Sequence, residues 1–378
     1  MKRFIIILKF FFKLIFKIKI KNEIEKKKII VFDCVNSYHL ISILEAKDYF
    51  LLSSRLNRIN TIFLDKDIIT YIIKNFFKRN LKINYFISLI QKIDPNVVIT
   101  NIDNSVEFSI LSKHFFEKKK FLSIQFGTRG DIFRNSGENN HLLFFSNLIC
   151  FGEFDIELLK KKKVIVKKYF LGGSLKNSYY QNKFKGNDKL KKIDICFMGK
   201  QMSTENKKLE KIFLNQKKIL EFLIKFVENK KLNFLIQSKQ IKNNFEEKFY
   251  KKLIGRKKIK INWRKNKFDF SSSYDAINTS KIVIGPPSTI LREALSHNAK
   301  VLCCEISPES EGIHPFDGFC YLENFNYQQF EKRLNHFLDI NTENYYKKLN
   351  RKLDYYMKKE NTSLLIKKLI SKENYLLK

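Results

Sequence analysis

The stretch Ser280–Pro308, SKIVIGPPSTILREALSHNAKVLCCEISP, admits few folds. Two apolar runs, Ile282–Ile284 and Val301–Cys304, are separated by a Gly-Pro-Pro turn and a helix-like segment opening on Ser288 and Thr289. The pattern is strand, tight loop, helix, strand. Such a unit belongs to a parallel sheet, because the helix carries the chain back over the sheet and lays the second strand beside the first in the same direction. It also sets a helix N-terminus at the carboxyl end of the sheet, where its unpaired N–H groups can hold a phosphate.

The rest of the chain repeats this alternation. In the first half, Ile29–Phe32, Tyr49–Leu52, Val97–Thr100, Phe121–Gln125 and Leu148–Phe151 read as strands, with helices expected over Ser37–Leu44, Asn75–Ile93, Ser105–Phe116 and Glu153–Lys162. Strands rich in Ile, Val and Phe without strict alternation indicate a parallel sheet covered on both faces. Asn182–Lys192 has no apolar period and reads as a linker. Beyond it come strands at Ile193–Met198, Leu232–Ile236, Ile259–Trp263 and Phe319–Leu322, besides the two of the opening unit. A chain of 378 residues is long for one core and suits two domains of about 150–200 residues. The expected class is α/β, with two Rossmann-like β/α domains facing a central cleft. The expected boundaries are a basic amphipathic segment over 1–22, an N-terminal domain over 23–185, a C-terminal domain over 193–340 and C-terminal helices over 341–378.

Charge adds less than its size suggests. Lys and Arg number 73 against 38 Asp and Glu, a formal charge of +35, but the lysines are spread along the chain and accompany an excess of Ile, Asn and Phe. Dispersed charge mostly forms a solvated surface, and no RNA-recognition or helix-turn-helix pattern accompanies it, so nucleic acid is not the expected partner. Phosphates and acidic lipids fit better. In MKRFIIILKFFFKLIFKIKIKN the residues Lys9, Lys13 and Lys17 recur every four positions, leaving a bulky aromatic face; the segment suits a helix lying in an anionic membrane interface, and it is too interrupted to span a bilayer. The expectation is a cytoplasmic protein, peripheral on the inner face of the cytoplasmic membrane. The six cysteines show no C-x-x-C spacing and the histidines no metal-ligand spacing, which points to reduced buried thiols and no metal site.

Ligands of doubly wound sheets sit beyond the carboxyl ends of the strands, and the residues found there are the candidates. On the C-terminal side these are Gly199, Lys200, Gln237, Ser238, Trp263, Arg264 and the loop Gly285–Thr289. Gly and Pro make that loop tight, Ser288 can cap the helix, and Ser288 and Thr289 add hydroxyls to the N–H groups that can hold a diphosphate. Glu293, one turn on, can accept hydrogen bonds from ribose hydroxyls. On the N-terminal side, Gln125, Phe126, Gly127, Thr128, Arg129, Gly130 and Asp131 combine glycines for close backbone approach, a guanidinium for phosphate or carboxylate, and an acid able to act as general base. Arg129 and Asp131 are the catalytic candidates; Asp103, Gln125, Gly127, Thr128, Glu153 and Ser174 are candidates for the acceptor side of the cleft.

The strand, G-x-P-S/T turn and Glu-bearing helix resemble those of the GT-B glycosyltransferases. The stretches TNIDNSVEFSILSKHF, LSIQFGTRGD, CFGEFD, GGSLKN and GPPSTILREAL are similar to a bacterial family of surface carbohydrate biosynthesis proteins. The resemblance implies donor-diphosphate contacts at Ser288 and Thr289 and a ribose contact at Glu293. It implies a metal-independent glycosyltransferase without cofactor, moving a sugar from a nucleotide-sugar donor to a glycan or lipid-linked acceptor in surface polysaccharide biosynthesis. A sugar-nucleotide epimerase, a polyol-phosphate transferase, or a non-catalytic, membrane-associated glycan-assembly protein on the same fold remain as alternatives.

Overall fold

The computed structural model describes residues 19–33, 37–44, 49–55, 58–128, 143–184, 191–202, 207–266, 268–306 and 313–371. Its strands in chain order are β1 (Lys19–Lys21), β2 (Ile29–Phe32), β3 (Tyr49–Leu52), β4 (Thr61–Phe63), β5 (Val97–Thr100), β6 (Lys120–Ile124), β7 (Phe144–Cys150), β8 (Ile165–Leu171), β9 (Ile193–Met198), β10 (Phe234–Ile241), β11 (Lys260–Arg264), β12 (Ser280–Gly285), β13 (Lys300–Glu305) and β14 (Tyr321–Glu323). They form two six-stranded sheets, ordered β3-β2-β5-β6-β7-β8 and β11-β10-β9-β12-β13-β14, and a short β1-β4 ribbon. Every pairing is parallel. This is the expected α/β class with two Rossmann-like domains.

Both faces of the first sheet are apolar because alternate residues of each strand point to opposite sides. Ile30, Phe32, Val98 and Phe121 pack with Ile83, Phe86, Ile87 and Ile90 of the helix Leu81–Ile93. Ile29, Val31, Val97, Ile99 and Leu122 pack on the other side with Leu40, Leu175, Ile366 and Leu369. Ile366 and Leu369 lie on the helix Thr362–Ser371, so the C-terminal end of the described chain returns to the first sheet. Thr362 Oγ1 donates to the Gly172 carbonyl at 2.6 Å, and the Lys358 N–H donates to the Phe151 carbonyl at 2.7 Å, fixing that return.

In the second sheet the strand order reverses between β9 and β12. The reversal leaves a crevice at the carboxyl ends of these two strands, the usual ligand position in open α/β sheets. A Cβ at Gly285 would meet the Met198 carbonyl oxygen at 2.6 Å, so only glycine lets the end of β12 approach the end of β9 this closely.

Several elements differ from expectation. Of the helix expected over Asn75–Ile93 only Leu81–Ile93 forms; the preceding residues make a turn, and before it stands a helix that was not expected, Lys66–Lys74. Asn80 caps Leu81–Ile93 by accepting from the Lys82 N–H, and the buried Asn84 amide donates to the carbonyls of Asn75 and Arg79. Side-chain amides satisfying turn carbonyls outweigh an apolar period that runs through the turn. The strand expected from Leu148 begins at Phe144, and the start of the expected linker belongs to a helix, Leu175–Phe184. The expected interfacial helix falls largely on residues 1–18, outside the described residues. Among the described residues no helix is long and apolar enough to cross a membrane.

Candidate functional site

Because each sheet is parallel, all its strands end on one edge, and those two edges face each other. Between them lies a cavity of about 410 Å³. The first domain lines it with Phe126, Gly127 and Thr128, which follow β6, and with Lys176 near the start of the helix after β8. The second lines it with Gly199 and Lys200 after β9, Gln237, Ser238 and Lys239 of β10, Arg264 of β11, Phe270 and Ser273, and Ser288, Thr289 and Ile290 at the start of the helix Thr289–Ser296. Thus Gly127, Thr128, Gly199, Lys200, Gln237, Ser288 and Thr289 come together as the sequence suggested. Lys176, Lys239 and Phe270 were not anticipated.

The cavity is cationic. Lys176, Lys200, Lys239 and Arg264 line it, and no carboxylate is among its described lining residues. The Phe270 ring carries two of these charges, with the Lys176 ammonium at 4.5 Å and the Arg264 guanidinium at 3.7 Å from its centroid. Crowding of like charge has a cost visible in proton affinity. Burial of its ammonium end, followed by the charges of Lys176, Lys200 and Arg264, pushes Lys239 down to about 8, although the side chain as a whole stays open to the cleft. A bound polyanion relieves that repulsion.

The helix start completes the cradle. Ser288 occupies the N-cap position, but its hydroxyl caps no N–H, contrary to expectation. Its Oγ and the Oε1 of Gln237 are buried polar atoms with no hydrogen-bond partner among the described residues. The first-turn N–H groups of a helix have no intrahelical acceptor and the helix dipole favours negative charge there. Thr289 is already engaged: its Oγ1 accepts from the Thr128 N–H at 2.9 Å and straps the two domains together across the cavity.

The other candidates lie around the cavity. Glu293 is fully buried and points away from it, toward the first domain. Its Oε1 accepts from the Ser174 hydroxyl at 2.6 Å, and Lys176 Nζ stands 3.6 Å from its Oε2. Glu293 and Ser174 therefore form a domain-to-domain contact and do not line the cavity. Asp103 accepts from the Phe126 N–H at 3.3 Å, and Gln125 donates to the Gly127 carbonyl at 3.1 Å, so both brace the loop behind Thr128. Gly285 sits behind the helix start, at the β9 contact. Glu153 is exposed at the start of its helix and does not line the cavity. Arg129 and Asp131 lie outside the described residues, which stop at Thr128, itself part of the cavity wall.

Sequence reading missed a buried ion pair between the domains. Arg292, fully buried on the 289–296 helix, donates from Nη1 and Nη2 to both carboxylate oxygens of Asp155 at 3.1 and 2.5 Å and from Nε to the Tyr356 carbonyl at 2.8 Å. Gln125 Nε2 also donates to Asp155 at 2.8 Å, tying this clamp to the cavity loop.

No protein-family model and no curated protein matches the chain. Solved structures do match in fold. A Neisseria meningitidis UDP-GlcNAc 2-epimerase, solved with UDP-GlcNAc bound, is similar over 91% of this chain and 99% of its own at 14% identity, with a TM-score of 0.58. A Listeria monocytogenes protein assigned as a UDP-N-acetylglucosamine 2-epimerase gives 91% and 96% coverage, 13% identity and 0.58. The wall teichoic acid polymerase TagF gives 94% and 91%, 11% and 0.52. The chain has the GT-B fold.

Proposed function

We propose that the chain is a transferase that takes a sugar, or a similarly activated group, from a nucleotide-linked donor and passes it to a carbohydrate acceptor in surface polysaccharide assembly. The observation that carries this reading is the cation-lined cavity between the two strand edges, closed on one side by a helix N-terminus. Lys176, Lys200, Lys239 and Arg264 hold the donor diphosphate with the first-turn N–H groups of the 289–296 helix. The unpartnered Ser288 Oγ and Gln237 Oε1 supply further hydrogen bonds to the donor. In the reaction the acceptor oxygen bonds the transferred carbon, the bond from that carbon to the diphosphate breaks, and the same cations stabilise the charge left on the leaving group. Asp131, three residues beyond Thr128, takes the acceptor proton, and Arg129 joins the phosphate contacts.

Transfer needs room for an acceptor. A second cavity of about 590 Å³ lies beside the first, lined by Ser37, Tyr38, Tyr179, Asn266, Phe268 and Asp269 among others. These residues follow β2, β8 and β11, on the same strand edges as the first cavity, and Asp269 of the second directly precedes Phe270 of the first. Tyr38 and Phe268 expose aromatic faces for a sugar ring, and Asp269 and the Asn266 amide add polar groups beside them.

The epimerase reading has its own support, since the two epimerases superpose at 0.58 against 0.52 for the polymerase. Incubation with UDP-, GDP-, CDP- and CMP-sugars, followed by melting curves and product analysis, separates the readings. One donor is expected to raise the melting temperature and to release its nucleotide faster when a glycan acceptor is added. A C2-inverted sugar formed without acceptor establishes the epimerase instead. If no donor shifts the melting curve, the site itself is wrongly placed.

A further inference from the structure

The two most exposed large apolar side chains among the described residues are Phe77, at 97%, and Ile73, at 69%. They lie four residues apart, at the end of the helix Lys66–Lys74 and in the turn after it. Ile69, one helical turn before Ile73, and Phe76 and Leu81 are exposed beside them. Apolar side chains scattered singly over a surface need no explanation, whereas a contiguous cluster marks an interaction site.

The cluster is held out rigidly. Asn84, fully buried, donates to the carbonyls of Asn75 and Arg79 at the two ends of the turn. The Phe76 and Phe77 rings meet edge to face with centroids 5.2 Å apart. Around them Lys66, Lys74, Lys78 and Arg79 are exposed, while the one exposed acid of the segment, Asp67, is already paired with Lys92. Behind the cluster an apolar cavity of about 550 Å³ is lined by Ile62, Phe63, Ile72 and Leu81. Ile62 and Phe63 belong to β4, and their partners in β1, Ile20 and Lys21, end the basic, Phe-rich N-terminal sequence. That sequence therefore joins the fold beside the same face.

We infer that this face docks on an anionic lipid bilayer, with Phe76, Phe77 and Ile73 entering the interface and Lys66, Lys74 and Lys78 meeting acidic headgroups. A rigid aromatic tip ringed by lysines matches the two attractions that hold peripheral proteins, apolar burial at the headgroup boundary and charge attraction to acidic lipid. A second copy of the chain suits the face less well, because two molecules of formal charge +35 repel each other. The proposal does not rest on the nucleotide site, which lies in the cleft.

Co-sedimentation of the full chain with vesicles of phosphatidylcholine, alone or mixed with phosphatidylglycerol, tests it. The full chain is expected to bind the mixed vesicles and not the neutral ones. Phe76→Ser with Phe77→Ser, and separately Lys74→Glu with Lys78→Glu, are expected to lower the partition coefficient about tenfold or more. Both variants should keep the melting temperature of the parent, since these side chains are exposed. A Lys9→Glu, Lys13→Glu variant measures the N-terminal segment separately. The proposal fails if the full chain ignores acidic vesicles, or if only the Lys9 and Lys13 variant loses binding. It fails also if the Phe variants bind no less than the parent, or if they turn a dimer into a monomer without any vesicle binding having been present.

Discussion

At the scale of single residues, two cations, one buried between the domains and one in the cleft, do opposite work. Arg292 is fully buried with Asp155, and a planar guanidinium matching both carboxylate oxygens is the geometry in which such a pair is best compensated. Removing one partner leaves the other charge buried alone. Arg292→Ala is therefore expected to cost about 3–5 kcal/mol in urea denaturation, while a cleft-facing change such as Lys200→Ala leaves stability nearly unchanged. Lys239 is the converse case, a cation kept at some disadvantage for a ligand. Its proton affinity is lowered to about 8 by burial and by Lys176, Lys200 and Arg264. Below that pH it is charged and attracts a phosphate; above it the ammonium loses its proton and the attraction. Affinity for a nucleoside diphosphate is accordingly expected to fall as pH rises through about 8, and Lys239→Met is expected to bind more weakly at pH 7 and to lose that pH step. Isothermal titration at several pH values reads both, and an unchanged pH step in the variant removes Lys239 from the site.

At the scale of elements, the helix 289–296 has two faces with separate tasks. Its first turn opens on the cavity, and Arg292, Glu293 and Ser296 bind the first domain through Asp155, Ser174 and Asn177. A shift of this helix thus moves the donor cradle and the domain contact together. Gly285→Ala supplies such a shift, because its Cβ meets the Met198 carbonyl at 2.6 Å, whereas a Cβ at Gly127 meets Thr289 Oγ1 at an ordinary 3.6 Å. The first substitution is expected to cost about 1–3 kcal/mol and to weaken donor binding, and Gly127→Ala to change stability by less than about 0.5 kcal/mol. Equal denaturation midpoints for the two variants would contradict this account. The strand and turn around Gly285 were legible in the sequence because buried strands are unbroken apolar runs and because glycine and proline punctuate them. Arg292 was not, since a charge on a short helix reads as solvated surface until a second domain is placed against it, and Glu293 was read as a ligand contact for the same want of that domain. Lys176 and Lys239 were hidden for a different reason: in a chain with 73 basic residues, a lysine near a strand end stands out from nothing. The turn over 75–80 was missed because Phe76 falls on the apolar period of the helix that follows, and only the contacts of Asn84 show why the chain turns there.

At the scale of the whole molecule, the two domains are held by polar and aromatic contacts that acid can reach. His297 sits between Asn177 of the first domain and Asn278 of the second, at 2.6 and 2.8 Å. His39 packs among Tyr179, Tyr180 and Phe270, on the other side of the same interface. Burial lowers each histidine to about 4, with the positive charge of Lys176 adding to the effect on His39 against the opposing pull of Asp269, and that of Lys359 adding to it on His297. In the unfolded chain both return to the ordinary value near 6.5. The unfolded state therefore binds more protons than the folded one between these values. Stability is complete above about pH 6.5, declines as pH falls through that window, and stops declining from this cause below about 4; the loss reaches at most about 3 kcal/mol per histidine. Since both rings lie where the domains meet, the acid-induced loss is expected to separate the domains before it melts either sheet. Small-angle scattering should show the radius of gyration rising between pH 6 and pH 4 while far-ultraviolet circular dichroism stays constant. In a His39→Phe, His297→Gln variant, which can no longer take up these protons, the expansion should move to lower pH. An expansion at the same pH in parent and variant assigns the acid response to carboxylates instead, with the buried Arg292–Asp155 clamp as the next place to look.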